Sequence, residues 1–223
     1  MTTTRGDRRT PPRSQATSSA TLWPRIDWGA PGPGFVETEF QIYPFTVSLL
    51  YRVWGEDPLY GRFFSLALTG LAGLVFQRLA RRFLGPPAAL AATTLFLMAP
   101  VCFRFSRAFM PEATALLFYL LALDRFLAFL AGNRWRDVLG SAAAMCLAIL
   151  VKPTTIHLSL ALMILAIARG GSRSLLRPKL IVFGLVSLLP AAAYYAHAAA
   201  IHLAYGNTFG VISGGDSKWG NPK

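Results

Sequence analysis

Apolar windows long enough to cross a bilayer recur from position 59 to position 203, and the stretches between them carry most of the arginines. That repeat constrains the fold more than any other feature. About 20 residues of helix span the ~30 Å of hydrocarbon in a membrane. Inside hydrocarbon, a continuous apolar run satisfies its backbone polar groups by coiling into a helix. The 223-residue chain is 54% hydrophobic and 14% charged, with a mean hydropathy of +0.45, too apolar for one water-soluble core. The expected fold class is all-α, a polytopic membrane helical bundle.

The first window covers 59–79 and is closed by Arg78, Arg81 and Arg82. The second, 86–103, opens on a proline pair suited to a helix start and ends near Arg104 and Arg107. The third is 111–130. The fourth, 138–151, stops at Lys152-Pro153, and a separate run, 154–167, returns before Arg169. The last is 180–203, with Pro190 inside as an expected kink. Six spans are predicted within a bundle at 59–205.

A net charge of +12 raises the question of nucleic acid, but a nucleic-acid binder gathers its cations on one solvated face. Here they punctuate apolar runs, as topogenic charge does. Threading the windows alternately puts Arg78, Arg81, Arg82, Arg125, Arg134, Arg136, Arg169, Arg173, Arg177 and Lys179 on one side, the cytoplasm by the positive-inside rule. The other side receives Glu37, Glu39, Glu56, Asp57, Glu112 and Asp216, with Arg62, Arg104, Arg107, Lys152 and Lys218. Acidic residues thus gather on the exoplasmic face, and the spans read as nearly free of mid-helix charge.

Residues 1–25, rich in Thr, Ser, Arg and Pro, hold no apolar run and read as a disordered polar leader. Residues 26–58 read as an exoplasmic loop followed by an interfacial helix, in which Phe40, Tyr43, Val47, Leu50, Tyr51 and Trp54 recur at helical spacing. Residues 206–223 read as an exoplasmic loop; the glycines of 206–215 lack the strand-helix unit or Walker lysine of a nucleotide fingerprint.

The chemistry concentrates at the outward ends. Arg104 and Arg107 lie in one turn with Glu112 at the next helix start, and a guanidinium fork holds two phosphate oxygens at once. Lys152 interrupts an apolar stretch, where a cation calls for water or an anion. Both sets are also compatible with side chains that merely anchor helix ends at the headgroups. Glu37 and Glu39 point the same way if extended. Cys102 and Cys146 lie in apolar windows without disulfide or metal spacing and read as small core residues. His157, His197 and His202, without ligand spacing, read as packing or interfacial residues.

Several segments in order resemble the polyprenyl-phosphate-dependent membrane glycosyltransferases of the GT-C type, the glycosyltransferase family 39 or RgtA/B/C/D-like group. They are Asp27-Trp28-x-x-Pro31, then 35–43 ending in Tyr43, Gly55 with Arg62, Ser106-Arg107 with Pro111-Glu112, and 147–153 with its single Lys152. The resemblance implies inverting sugar transfer from a polyprenyl-phosphate-linked donor to a lipid, glycan or protein acceptor on the exoplasmic face. Arg62, Arg104, Arg107 and Lys152 would hold the donor phosphate. Asp27, Glu37 or Glu39 would be the catalytic carboxylate, with Glu112 and Tyr43 in support. It calls for no certain cofactor and no metal ligands, a divalent metal being left open, and for membrane lipids but no nucleic acid as further partners. Relatives open with a span that an Asp or Asp-Glu follows directly, where this chain has its polar leader with Asp7, and they carry several more spans than this chain does. A truncated chain or a misassigned start is therefore expected, with transfer by the chain as it stands left open. The competing reading is a non-enzymatic polytopic protein, such as a lipid carrier or transporter subunit, which usually places polar residues at the midplane of broken helices.

Overall fold

A computed structural model describes residues 40–108 and 110–205. Among the described residues the structure is helical throughout: α1 Ile42–Trp54, α2 Pro58–Ala80, α3 Pro86–Met98, α4 Pro100–Ser106, α5 Glu112–Gly132, α6 Trp135–Val151, α7 His157–Gly170 and α8 Pro178–Tyr205. Short 3-10 turns precede α7 and α8.

Local chemistry sets the boundaries. The Asp57 carboxylate caps α2 by accepting from the Leu59 amide at 2.9 Å, and Pro58 occupies the first turn, where no amide hydrogen is needed. At the far end of α5, Asn133 adopts the left-handed conformation at φ 48° and its amide bonds the Phe129 carbonyl. Gly171 ends α7 at φ 72°, a region glycine enters without steric cost.

α6 is the centre of the bundle. Eleven of its seventeen residues are buried, and it packs on α5 and α8. Its Gly140, Ser141, Ala142 and Ala144 let neighbouring backbones come close, and Ser141 Oγ donates to the Ala122 carbonyl of α5 at 2.8 Å. Phe126, Met145, Leu162 and Phe183 fill the core between α5, α6, α7 and α8. A second cluster joins α2, α3 and α5, where Phe76 and Phe96 stack at 4.4 Å. The outer faces stay apolar: Phe63, Leu74, Leu95, Leu160 and Leu189 are each more than 60% exposed, a surface suited to lipid and costly in water.

Four helical stretches are long and apolar enough to cross a membrane, Pro58–Ala80, Glu112–Gly132, Pro153–Gly170 and Pro178–Ala200, and the α3–α4 pair makes up to five. This departs from the six expected windows in two places. α6 has only 17 residues and is wrapped by protein on most sides. The second window breaks at Ala99, and its halves meet at 61°. Pro100 has no amide hydrogen to donate to the preceding turn and its ring crowds it. α8, in contrast, is a single helix with Pro190 inside it.

The ends of the helices sort as threading requires. Arg82 in the turn after α2, Asp137 of α6 and Lys179 of α8 meet Asp124 and Arg125 of α5 or Asn133 at its C-terminus at one end. Glu112, Lys152, Tyr43 and Ser65 contact one another or their neighbours at the other. The expected charge segregation fails for two carboxylates. Asp124, inside α5, and Asp137, in the first turn of α6, are buried at the arginine-rich end. There Asp124 faces Arg82 at 2.6 Å, Arg78 at 3.5 Å and Arg125 at 3.8 Å, while Asp137 lies 3.6 Å from Arg125. Burying a carboxylate is tolerable when cations and hydrogen bonds compensate it, and Arg78, Arg82 and Arg125 provide that.

Candidate functional site

At the opposite end, helix starts and stops bring distant residues together. α6 ends at Lys152 because Pro153 follows, and α5 begins at Glu112 directly after Pro111. The Lys152 ammonium donates to Glu112 Oε1 at 3.0 Å across forty positions of sequence. Glu112 sits in the first turn of α5, where the helix dipole favours a carboxylate. Its other oxygen, Oε2, is buried without a hydrogen-bond partner among the described residues. A buried carboxylate oxygen left unmatched costs free energy that a hydroxyl or a cation would recover.

Glu112 forms part of the wall of a cavity of about 280 Å³, bounded also by Thr69 of α2, Phe96 of α3, Cys102 and Phe105 of α4, and Leu116 of α5. The hydroxyls on its wall are already committed, Thr69 to the Ser65 carbonyl at 2.9 Å and Ser106 to the Phe103 carbonyl at 3.0 Å. Among the described residues Glu112 is thus the one carboxylate on the wall of this hydrocarbon-lined space.

A second group of contacts fixes the turn beside it. Tyr43 of α1 lies 2.8 Å from Ser65 Oγ and donates to the Gly61 carbonyl at 2.9 Å, and Ser65 donates to the Ala108 carbonyl at 3.0 Å. Burial pushes the Tyr43 phenol above its ordinary value, with opposition from the Ser65 hydrogen bond. The backbone just ahead of α1 is moored to α6, since the Phe40 amide donates to the Leu150 carbonyl at 3.1 Å. Tyr195 of α8 donates to that same carbonyl at 2.8 Å, and Phe40 meets Tyr194 edge-on at 5.5 Å.

Of the residues expected at the site, Glu112 and Lys152 are brought into contact and Tyr43 braces the neighbouring turn. Lys152 is therefore partnered by a carboxylate rather than standing alone. Arg62, Arg104 and Arg107 are exposed, with no carboxylate in ion-pair distance among the described residues. The Arg107 guanidinium lies 4.0 Å over the Phe103 ring, which holds it flat without neutralising it. Asp27, Glu37 and Glu39, with residues 1–25 and 206–223, lie outside the described residues. Ser65 was missed by the sequence reading; its only signal was a hydroxyl in an apolar window one helical turn after Gly61.

A family profile described as dolichyl-phosphate-mannose-protein mannosyltransferase matches residues 41–197, more than half of the chain. The chain belongs to the dolichyl-phosphate-mannose-protein mannosyltransferase family. It is by that membership a membrane glycosyltransferase of the GT-C type. No curated protein and no solved structure matches it. The region shared with the mannosyltransferase family runs from the start of α1 into α8, and so takes in Tyr43, Arg62, Arg104, Arg107, Glu112 and Lys152. Among the described residues no group of three or more His, Cys, Asp or Glu side chains is arranged to hold a metal ion.

Proposed function

We propose that the chain transfers a sugar from a polyprenyl-phosphate donor to an acceptor hydroxyl at the exoplasmic end of the bundle. The observation that carries this reading is the hydrocarbon-lined cavity whose wall includes Glu112, with the Lys152 ammonium 3.0 Å from that carboxylate. An isoprenoid tail needs an apolar recess, its phosphate needs cations, and the sugar needs a hydrogen-bond acceptor; the three lie side by side. Arg62, Arg104 and Arg107, which have no carboxylate partner among the described residues, supply guanidinium groups for the phosphate. Lys152 shares its charge between phosphate and Glu112, and Glu112 Oε2 accepts from a sugar or acceptor hydroxyl.

In the reaction the acceptor oxygen attacks the sugar's anomeric carbon as the bond to the phosphate oxygen breaks. Polyprenyl phosphate leaves with the bonding electron pair, and the acceptor proton passes to a carboxylate, with inversion at carbon. The carboxylates proposed for that proton are Asp27, Glu37 and Glu39. Glu39 directly precedes Phe40, whose amide is bonded to Leu150 two residues before Lys152. Chain reach of about 3.5 Å per residue therefore keeps Glu37 and Glu39 within a few residues' length of that anchor. Cations stabilise the charge that builds on the departing phosphate. Membranes containing the chain, incubated with radiolabelled polyprenyl-phosphate hexose or pentose, should label an endogenous acceptor. Arg107→Ala and Glu37→Gln should each lower that labelling; full labelling in both variants would remove the proposed site.

A further inference from the structure

At the arginine-rich end, away from Glu112, a groove of about 430 Å³ runs between α5 and α6, lined by Leu121, Arg125, Arg136, Gly140 and Ala144. Arg136, Gly140 and Ala144 follow at four-residue steps and share one face of α6; Leu121 and Arg125 do the same on α5. From Arg136 to Ala144 the helix rises about 12 Å. The groove thus has two guanidinium groups at its outer end and a floor of small apolar residues reaching inward.

Charge at this end is unbalanced. Asp124 and Asp137 stand against Arg78, Arg82, Arg125 and Arg136. Arg125 is held beside the groove by Asp124 at 3.8 Å and Asp137 at 3.6 Å, while Arg136 is exposed without a carboxylate partner among the described residues. Basic clefts between membrane helices attract anionic headgroups, and the apolar floor distinguishes a lipid from a free anion. We propose that this groove binds an anionic glycerophospholipid, its phosphate on Arg125 and Arg136 and one acyl chain along Leu121, Gly140 and Ala144. The site is separate from the sugar-transfer site and does not depend on it.

The full chain, purified in a neutral detergent, is mixed with phosphatidylglycerol or phosphatidylcholine and examined by native mass spectrometry. Phosphatidylglycerol should be retained in preference to phosphatidylcholine. Arg136→Gln should weaken that retention about five-fold, the effect of one arginine near a lipid surface. Gly140→Leu should abolish it by filling the groove, where a Cβ added at the glycine would already meet Arg125 side-chain carbons at 3.8 Å. Arg169 lines a different hollow with Phe129 and Asn133, so Arg169→Gln should leave it unchanged. Equal retention of the two lipids, or undiminished selectivity in either Arg136→Gln or Gly140→Leu, would overturn the proposal. So would an equal loss in Arg169→Gln, which would indicate diffuse surface charge.

Discussion

Arg82, in the turn after α2, donates to Asp124 of α5 through Nε at 3.2 Å and Nη2 at 2.6 Å, forty-two positions away, and Asp124 is only 1% exposed. Nη2 also reaches the Asp124 carbonyl at 3.3 Å. Removing one member of a buried ion pair leaves the other uncompensated. Asp124→Ala should therefore cost about 3–5 kcal/mol, read as a large fall in melting temperature in detergent. Arg78→Ala, a half-exposed partner at 3.5 Å, should change stability by no more than about 1 kcal/mol. Similar melting of the two variants would show that the arginines are not balancing Asp124.

Lys152 and Glu112 make the corresponding pair at the other end. Lys152→Met should lower sugar transfer about a hundred-fold, the scale of losing one charge that stabilises a transition state. The exchange Lys152→Glu with Glu112→Lys should recover folded protein without recovering transfer, because the phosphate would then face a carboxylate. Melting and transfer measured on the same preparations separate the two effects, and an active exchange variant would refute the assignment.

Tyr43→Phe removes the hydrogen bond to Gly61 and the contact with Ser65. The expected cost is about 1–2 kcal/mol for a buried hydroxyl network. Because burial raises the Tyr43 pKa above 10.0, its contribution is fully present below that pH and lost as pH rises through the raised value. The stability gap between the native chain and Tyr43→Phe should accordingly be constant up to pH 10 and shrink above it. A gap that persists unchanged at higher pH would mean that the phenol does not ionise with unfolding.

Orientation is testable with single cysteines in a Cys102→Ala, Cys146→Ala background. A cysteine at Glu56 should react with an impermeant maleimide from the exoplasmic side, and one at Ser172 only from the cytoplasm. Both positions are exposed, at opposite ends of the alternating helices. Labelling of both from one side would contradict the alternation.

The helices were legible because apolar run length and proline or arginine punctuation are local signals. The window 111–130 appears as α5 Glu112–Gly132, and the stop at Lys152-Pro153 ends α6 as expected. The contact between Glu112 and Lys152 was legible only as two residues at the same end; their 3.0 Å approach depends on how α5 and α6 pack. The break at Pro100 was hidden because apolar composition continues across it. Asp124 was overlooked as mid-helix charge because its compensation lies on another helix, although Arg82 and Asp124 share one side when the windows are threaded.

The angle between α3 and α4 has a consequence for what the bundle can enclose. Pro100 has no hydrogen to give the Phe96 carbonyl, to which the Ala99 amide donates instead at 3.3 Å, and the chain turns through 61°. Phe96 on one arm and Cys102 and Phe105 on the other then face the same hollow. A straight rod would present them at different heights along a single wall. The outline of the hollow thus follows from the break at Pro100 rather than from a deleted side chain, and Pro100→Ala, which returns the amide hydrogen and removes the ring, should straighten the two arms and reshape it.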